Sequence, residues 1–398
     1  METAEDASTF AARNRSSAPA PATARAFSAK RFLRYLIILV GTGLAAIAIA
    51  NYLLDPLHFR RSVLREIAAA HQSGKNYAVY QANLDYRALR REAVALMTKT
   101  PQIIVFGGSR FELARADMFP GKTFYNAFVH NDVYEDALAF AGLLYEHQRL
   151  PKNLILTARF KTFLPIDPEL RETEEFKNFW SEYRAMADRL GLAKEPLWNV
   201  LPVGYWSNLF SISNIRRQLS YHLKGRHEGP VDADSMDDMD VLHADGSMAF
   251  SKEHSASWGD LLLSRGVKNM VSTAATVAED AELRAAKMSE RSEWPIDPER
   301  IEGFGKLLAF LAQQGTHVTI AMTPFHPAYH HRMAGSPYGK SLAAMEDKLR
   351  AVAAANAASV AGSLDPDKVG CKESNFRDFI HPDAVCLKIV FAQIAIKD

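Results

Sequence analysis

Three residues in this chain are of the right types to carry out nucleophilic chemistry together. Ser109 follows Ile103-Ile104-Val105-Phe106-Gly107-Gly108. Near the other end, Arg377-Asp378-Phe379-Ile380-His381-Pro382 sets a carboxylate and an imidazole three residues apart. If one loop holds Asp378 and His381 opposite Ser109, the imidazole can take the hydroxyl proton. The carboxylate then fixes the ring's tautomer and orientation. The same residues have a plainer use. Ser after Gly-Gly suits a helix cap, and so does Asp before the final apolar stretch.

The elements that must position them follow from the hydrophobic pattern. Residues 103–106 read as a buried strand, and the two glycines as a tight turn. Ser109 is expected to start the next helix, at the carboxyl edge of a parallel sheet where open α/β folds bind ligands. Its place in the positive field of a helix N-terminus would favour an oxyanion. Further strands are expected at 123–129, 154–160, 317–322 and 359–364. Helix-period segments lie at 135–147, 301–314 and 341–357. This alternation predicts an α/β fold with a parallel sheet covered on both faces.

On these residues the chain resembles the SGNH/GDSL hydrolase superfamily, in its membrane-anchored, cell-envelope branch. The glycine-serine turn after the first strand and the D-x-x-H pair carry the resemblance, over 100–165 and 300–398. It implies a flavodoxin-like three-layer α/β/α domain, with Ser109 as nucleophile, His381 as base and Asp378 as its partner. The family's second block starts at Asn126, but the place of its glycine is taken by Asn131. The third block's asparagine is missing from Thr157-Ala158-Arg159-Phe160. Asn126, Asn131 and Arg159 are therefore the residues expected around the oxyanion and substrate.

Composition sets the surroundings. The chain has 398 residues, 48% apolar and 23% charged, with a net charge of +1, so nothing calls for a nucleic-acid partner. Residues 1–30 are rich in Ala, Ser, Pro and Thr and read as a disordered cytoplasmic tail. Lys30, Arg31 and Arg34 precede twenty uncharged residues, 35–54. In a helix these span about 30 Å, the thickness of a bilayer's hydrocarbon core. Segment 31–55 is thus expected to be a single-pass anchor in the cytoplasmic (inner) membrane. The basic bias places the following domain on the periplasmic or extracytoplasmic side. Ala48-Ile49-Ala50 would suit a signal peptidase, but the preceding tail is long for a signal peptide.

Residues 56–99 read as a helical stalk, and 100–398 as the α/β domain. A long insert at 165–300 interrupts that domain and carries all five tryptophans. Those rings either pack the insert onto the core or stack on sugars. The acidic run 232–240 lacks the glycine and terminal glutamate of a calcium loop and reads as a solvated loop. Cys371 and Cys386, the only cysteines, flank the Asp378/His381 loop. They form either a bridge closing about 16 residues, worth roughly 3 kcal/mol, or two unpaired buried thiols.

His326 and His330 fall in Pro324-Phe325-His326-Pro327-Ala328-Tyr329-His330. The prolines and the absence of a neighbouring carboxylate disfavour a metal site, which leaves His326 as a substrate contact or loop residue. No cofactor motif is present. The expected function is a membrane-tethered serine esterase or O-acyltransferase. Its substrate would be an O-acylated envelope or secreted polysaccharide, with other envelope-complex proteins as possible partners. The alternative is a non-catalytic SGNH-like glycan- or partner-binding component of an envelope complex.

Overall fold

A computed structural model describes residues 29–54, 63–80, 84–158, 163, 179–192, 210–252, 254–255, 274–291 and 295–397. The N-terminal element is helix α1 (Ala29–Leu54). It is long and apolar enough to cross a membrane, and most of its side chains are exposed. The tail expected at 1–30 lies outside the described residues up to position 28, whereas Ala29 and Lys30 already belong to α1.

The stalk expectation for 56–99 is overturned over its described part. The segment folds as α2 (Val63–Gln72), strand β1 (Asn76–Val79) and α3 (Tyr86–Leu96). Val63, Ile67, Tyr77 and Leu89 are fully buried in the main core. The physical reason is the apolar spacing Val63, Ile67, Ala70 along α2, one buried face of a helix that the many charged neighbours disguise.

The parallel core starts with β2 (Ile103–Phe106), then β3 (Phe124–Asn126), α4 (Tyr134–Glu146) and β4 (Asn153–Thr157). In the insert come α5 (Trp180–Arg189), α6 (Ile212–Leu223), strands β5 (Gly229–Val231), β6 (Asp240–Leu242) and β7 (Met248–Ala249), and α7 (Ala274–Ser289). The core resumes with α8 (Pro298–Gln313), β8 (His317–Met322), α9 (Pro327–Met333) and α10 (Pro337–Ala355). It closes with β9 (Ser359–Gly362), α11 (Pro366–Val369) and α12 (Ala384–Phe391). Asp297 and Ser336 cap α8 and α10, each followed by a proline at the first helical position.

Five strands form one sheet in the order β3-β2-β4-β8-β9, every neighbouring pair parallel. Alternation along β2 sends Ile104 and Phe106 into the larger apolar cluster and Ile103 and Val105 into a smaller one. The smaller cluster contains Leu387 and Val390 of α12, so apolar side chains cover both faces of the sheet. A second, antiparallel sheet of order β5-β1-β6-β7 joins the lead-in to the insert, a pairing that no sequence pattern announced. The acidic run is more than a solvated loop, because Asp240 at its end is buried in β6 and bonds His254 Nδ1 at 2.6 Å. Of the tryptophans, Trp180 packs on Tyr183 at 5.0 Å; Trp198, Trp206, Trp258 and Trp294 lie outside the described residues.

Candidate active site

Ser109 leaves the carboxyl end of β2 through Gly107 and Gly108. Both glycines are required by close approach. A Cβ on Gly107 would fall 1.5 Å from Thr157 Oγ1, and one on Gly108 would fall 2.1 Å from Asp132 Oδ1. The helix expected behind Ser109 is only a three-residue 3-10 turn, Ser109–Phe111. The reason is the side chain of Asn126, whose Nδ2 donates to the carbonyls of Phe111 (2.8 Å) and Ala114 (2.9 Å). A side chain reaching over from β3 occupies carbonyls that a continuing helix would have used. Asn126 is fully buried, and its Oδ1 accepts from Phe128 N at 3.1 Å. It is therefore a fastener of the Ser109 loop, not the oxyanion or substrate contact expected of it.

The opposite wall is the loop between α11 and α12. Phe376 and Pro382 form an antiparallel bridge, and Arg377 N donates to His381 O at 2.9 Å. Cys371 and Cys386 are joined in a disulfide whose ends flank this loop, which decides between the two readings of the cysteines. Asp383 caps α12 by accepting from Cys386 N.

Across the site, Ser109 Oγ lies 2.9 Å from His381 Nε2, and His381 Nδ1 lies 2.6 Å from Asp378 Oδ2. Asp378 Oδ1 accepts from the backbone N–H groups of Ile380 (2.8 Å) and His381 (2.7 Å). Burial pushes the Asp378 carboxyl up, but the nearby His381 and these hydrogen bonds outweigh it and lower the group to about 2. An ionised carboxylate can only accept, so Nδ1 of His381 carries the proton. In the neutral ring Nε2 then turns its lone pair towards the Ser109 hydroxyl. Ser109 faces a cavity of about 160 Å³ whose wall includes Asn131, Thr157, Phe379 and Ile380.

Asn131 has φ 49°, in the left-handed region that Asn tolerates better than most residues. Arg87 Nη2 reaches its carbonyl at 3.3 Å and pairs with buried Asp136 at 2.7 Å. The lead-in thus supports the site through α3. A second brace is Glu112, which accepts from Arg377 Nη2 at 2.7 Å and ties the Ser109 segment to the Asp378/His381 loop. Burial raises this carboxyl, but the His130 hydrogen bond and the Arg377 charge prevail and hold it below its usual range. The insert clamps the same segment, since Met248 N donates to Glu112 O at 2.9 Å and Arg377 lies over the Phe250 ring. Sequence reasoning missed Arg87, Glu112 and Arg377. No local motif marks them, because each acts across distant parts of the chain.

His326 is fully buried. Its Nδ1 accepts from Ala328 N at 3.2 Å as the cap of α9, its backbone N–H donates to Phe379 O, and its ring packs on Phe376. It supports the Asp378/His381 loop and is absent from the wall of the cavity that Ser109 faces. Burial lowers its pKa against the opposing pull of Glu373 and Asp378, which favours the neutral ring. His331 bonds Asp367 at 2.9 Å. Among the described residues no cluster of His, Cys, Asp and Glu is arranged to hold a metal. Arg159 lies outside the described residues. The chain matches no protein-family model and no curated protein.

Proposed function

We propose that this chain is a serine ester hydrolase or O-acyltransferase of SGNH type, built as a flavodoxin-like three-layer α/β/α domain. The observation that carries the reading is the continuous Ser109–His381–Asp378 alignment, at 2.9 and 2.6 Å. Ser109 Oγ attacks the ester carbonyl carbon while His381 Nε2 takes its proton, and Asp378 balances the imidazolium. Backbone N–H groups of Ser109 and Asn131, which both line the cavity, are the donors assigned to the developing oxyanion. Collapse expels the alcohol, which recovers the proton from His381. Water or a sugar hydroxyl then attacks the acyl carbon and gives its proton to His381 Nε2, which passes it to Ser109 Oγ as the acyl group leaves.

The strand order of the parallel sheet supports the fold assignment, since in chain order its strands run second, first, third, fourth, fifth. The substrate is an O-acylated envelope or secreted polysaccharide. This rests on the family resemblance and on α1 as an uncleaved anchor in the cytoplasmic membrane. The disulfide favours an oxidising compartment for the domain, on the periplasmic or extracytoplasmic side.

The test is labelling of the full chain with a fluorophosphonate probe, beside Ser109→Ala. Labelling of the parent that vanishes in the variant is the expected result. A folded parent that stays unlabelled while the cavity admits the probe would overturn the nucleophile. The non-catalytic glycan- or partner-binding role would then be the better reading.

A further inference from the structure

Helix α6 carries an apolar face with no role in the core. Ile212, Leu219 and Leu223 are 66%, 47% and 78% exposed, and Phe210 just before the helix is 41% exposed. Spacings of seven and eleven residues bring the three helix positions onto one stripe. Scattered exposed apolar residues are ordinary, but several large ones on one side of a helix mark a surface that something covers.

The position of this helix says what covers it. The last turn of α1 packs on its start. There Asn51, fully buried, donates from Nδ2 to Ser211 O at 3.2 Å and to Ile47 O at 3.2 Å. Asn51 lies three residues from the end of α1, about 4.5 Å along the axis. The start of α6 therefore sits where the apolar run of α1 ends. For a membrane-spanning α1, that is the boundary between acyl chains and headgroups, the depth at which amphipathic helices lie. Charge agrees with this placement. Residues 212–226 contain Arg216, Arg217, Lys224 and Arg226 and no acidic residue. Arg226 is engaged by Asp238 at 2.9 Å. Exposed Arg216, one turn on from Ile212, flanks the stripe, where a long basic side chain can reach up to headgroups.

We propose that α6 is an interfacial membrane helix that beds Ile212, Leu219 and Leu223 into an anionic lipid surface beside the exit of α1. The proposal rests on α1 as a membrane anchor and is independent of the chemistry at Ser109. Its consequence is a fixed stance of the domain on the bilayer, with the insert as a foot.

The test uses the full chain. The native cysteines are bridged and the described residues contain no free thiol, so an introduced cysteine takes a fluorescent label selectively. Labels at Leu219→Cys and Leu223→Cys are compared with Leu39→Cys within α1 and Lys340→Cys on exposed α10. The chain is reconstituted in phosphatidylcholine–phosphatidylglycerol vesicles whose acyl chains carry brominated quenchers at set depths.

The expected result is quenching of the 219 and 223 labels by about half from shallow bromines, deep quenching at 39, and none at 340. Omitting phosphatidylglycerol should weaken the shallow quenching, and no change would overturn the anionic preference. Quenching at 39 with 219 and 223 behaving like 340 would overturn the proposal while leaving the anchor intact. Absence of quenching at 39 would overturn the anchor and the proposal with it. Cross-linking of 219 between copies without lipid quenching would assign the face to a second copy instead.

Discussion

Replacing Asp378 by Asn removes one charge from the site with almost no change in volume. The Asp378 carboxyl falls from 3.8 to about 2 in the folded chain, which corresponds to about 2 kcal/mol in favour of the ionised form. Because the folded value is the lower one, this stabilisation is complete above the unfolded value. It is lost as pH falls through about 2. At neutral pH Asp378→Asn should therefore be less stable by about 2 kcal/mol in denaturant unfolding, with the gap closing in strong acid.

The loop should survive the change, because the Asn oxygen can still accept from Ile380 N and His381 N. Chemistry should suffer far more. The Asn amide can donate to Nδ1, which drives the imidazole proton onto Nε2, where a donor and not an acceptor then faces Ser109. A loss on the order of 10⁴ in kcat is expected from that wrong tautomer. The assay is hydrolysis of a nitrophenyl ester alongside the rate of fluorophosphonate labelling. Folded Asp378→Asn within about tenfold of the parent in both would refute the assignment of Asp378 and the tautomer reasoning together.

Removing the disulfide through the paired change Cys371→Ser and Cys386→Ser should cost about 3 kcal/mol and lower ester hydrolysis, since the bridge flanks the base loop. Thermal unfolding and turnover of the variant measure this, and parent-like values for both would contradict it. Gly108→Ala should slow labelling of Ser109 and cost about 1–3 kcal/mol, because the added methyl falls 2.1 Å from Asp132 Oδ1. Asp132→Ala in the same chain should restore part of the labelling rate if that contact is the cause.

The apolar run of α1, the strands of the parallel sheet and the helices between them were legible because each is encoded over consecutive residues. Ile103–Phe106 is a short apolar run, and Pro298–Gln313 has a helical period, an Asp cap and a proline start. Reading failed where pattern and packing disagree. In 56–99 the charges hid a buried face, and the short strand Asn76–Val79 has a partner more than 150 residues away. The three residues of the candidate triad could be named from their types and their neighbours. What Asn126 and His326 do could not, since both carry the right chemistry and spend it on backbone groups.

The sequence by itself determined which segments are apolar, where the chain must turn, and which side chains are able to give up or accept a proton. Only the tertiary structure decided that Ser109 and His381, 272 positions apart, meet at 2.9 Å, and that Glu112 and Arg377 brace them. The physical reason is range. Periodicity, caps and glycine turns act between neighbours along the chain. A hydrogen bond between distant residues exists only once the sheet and the disulfide-closed loop have brought them face to face.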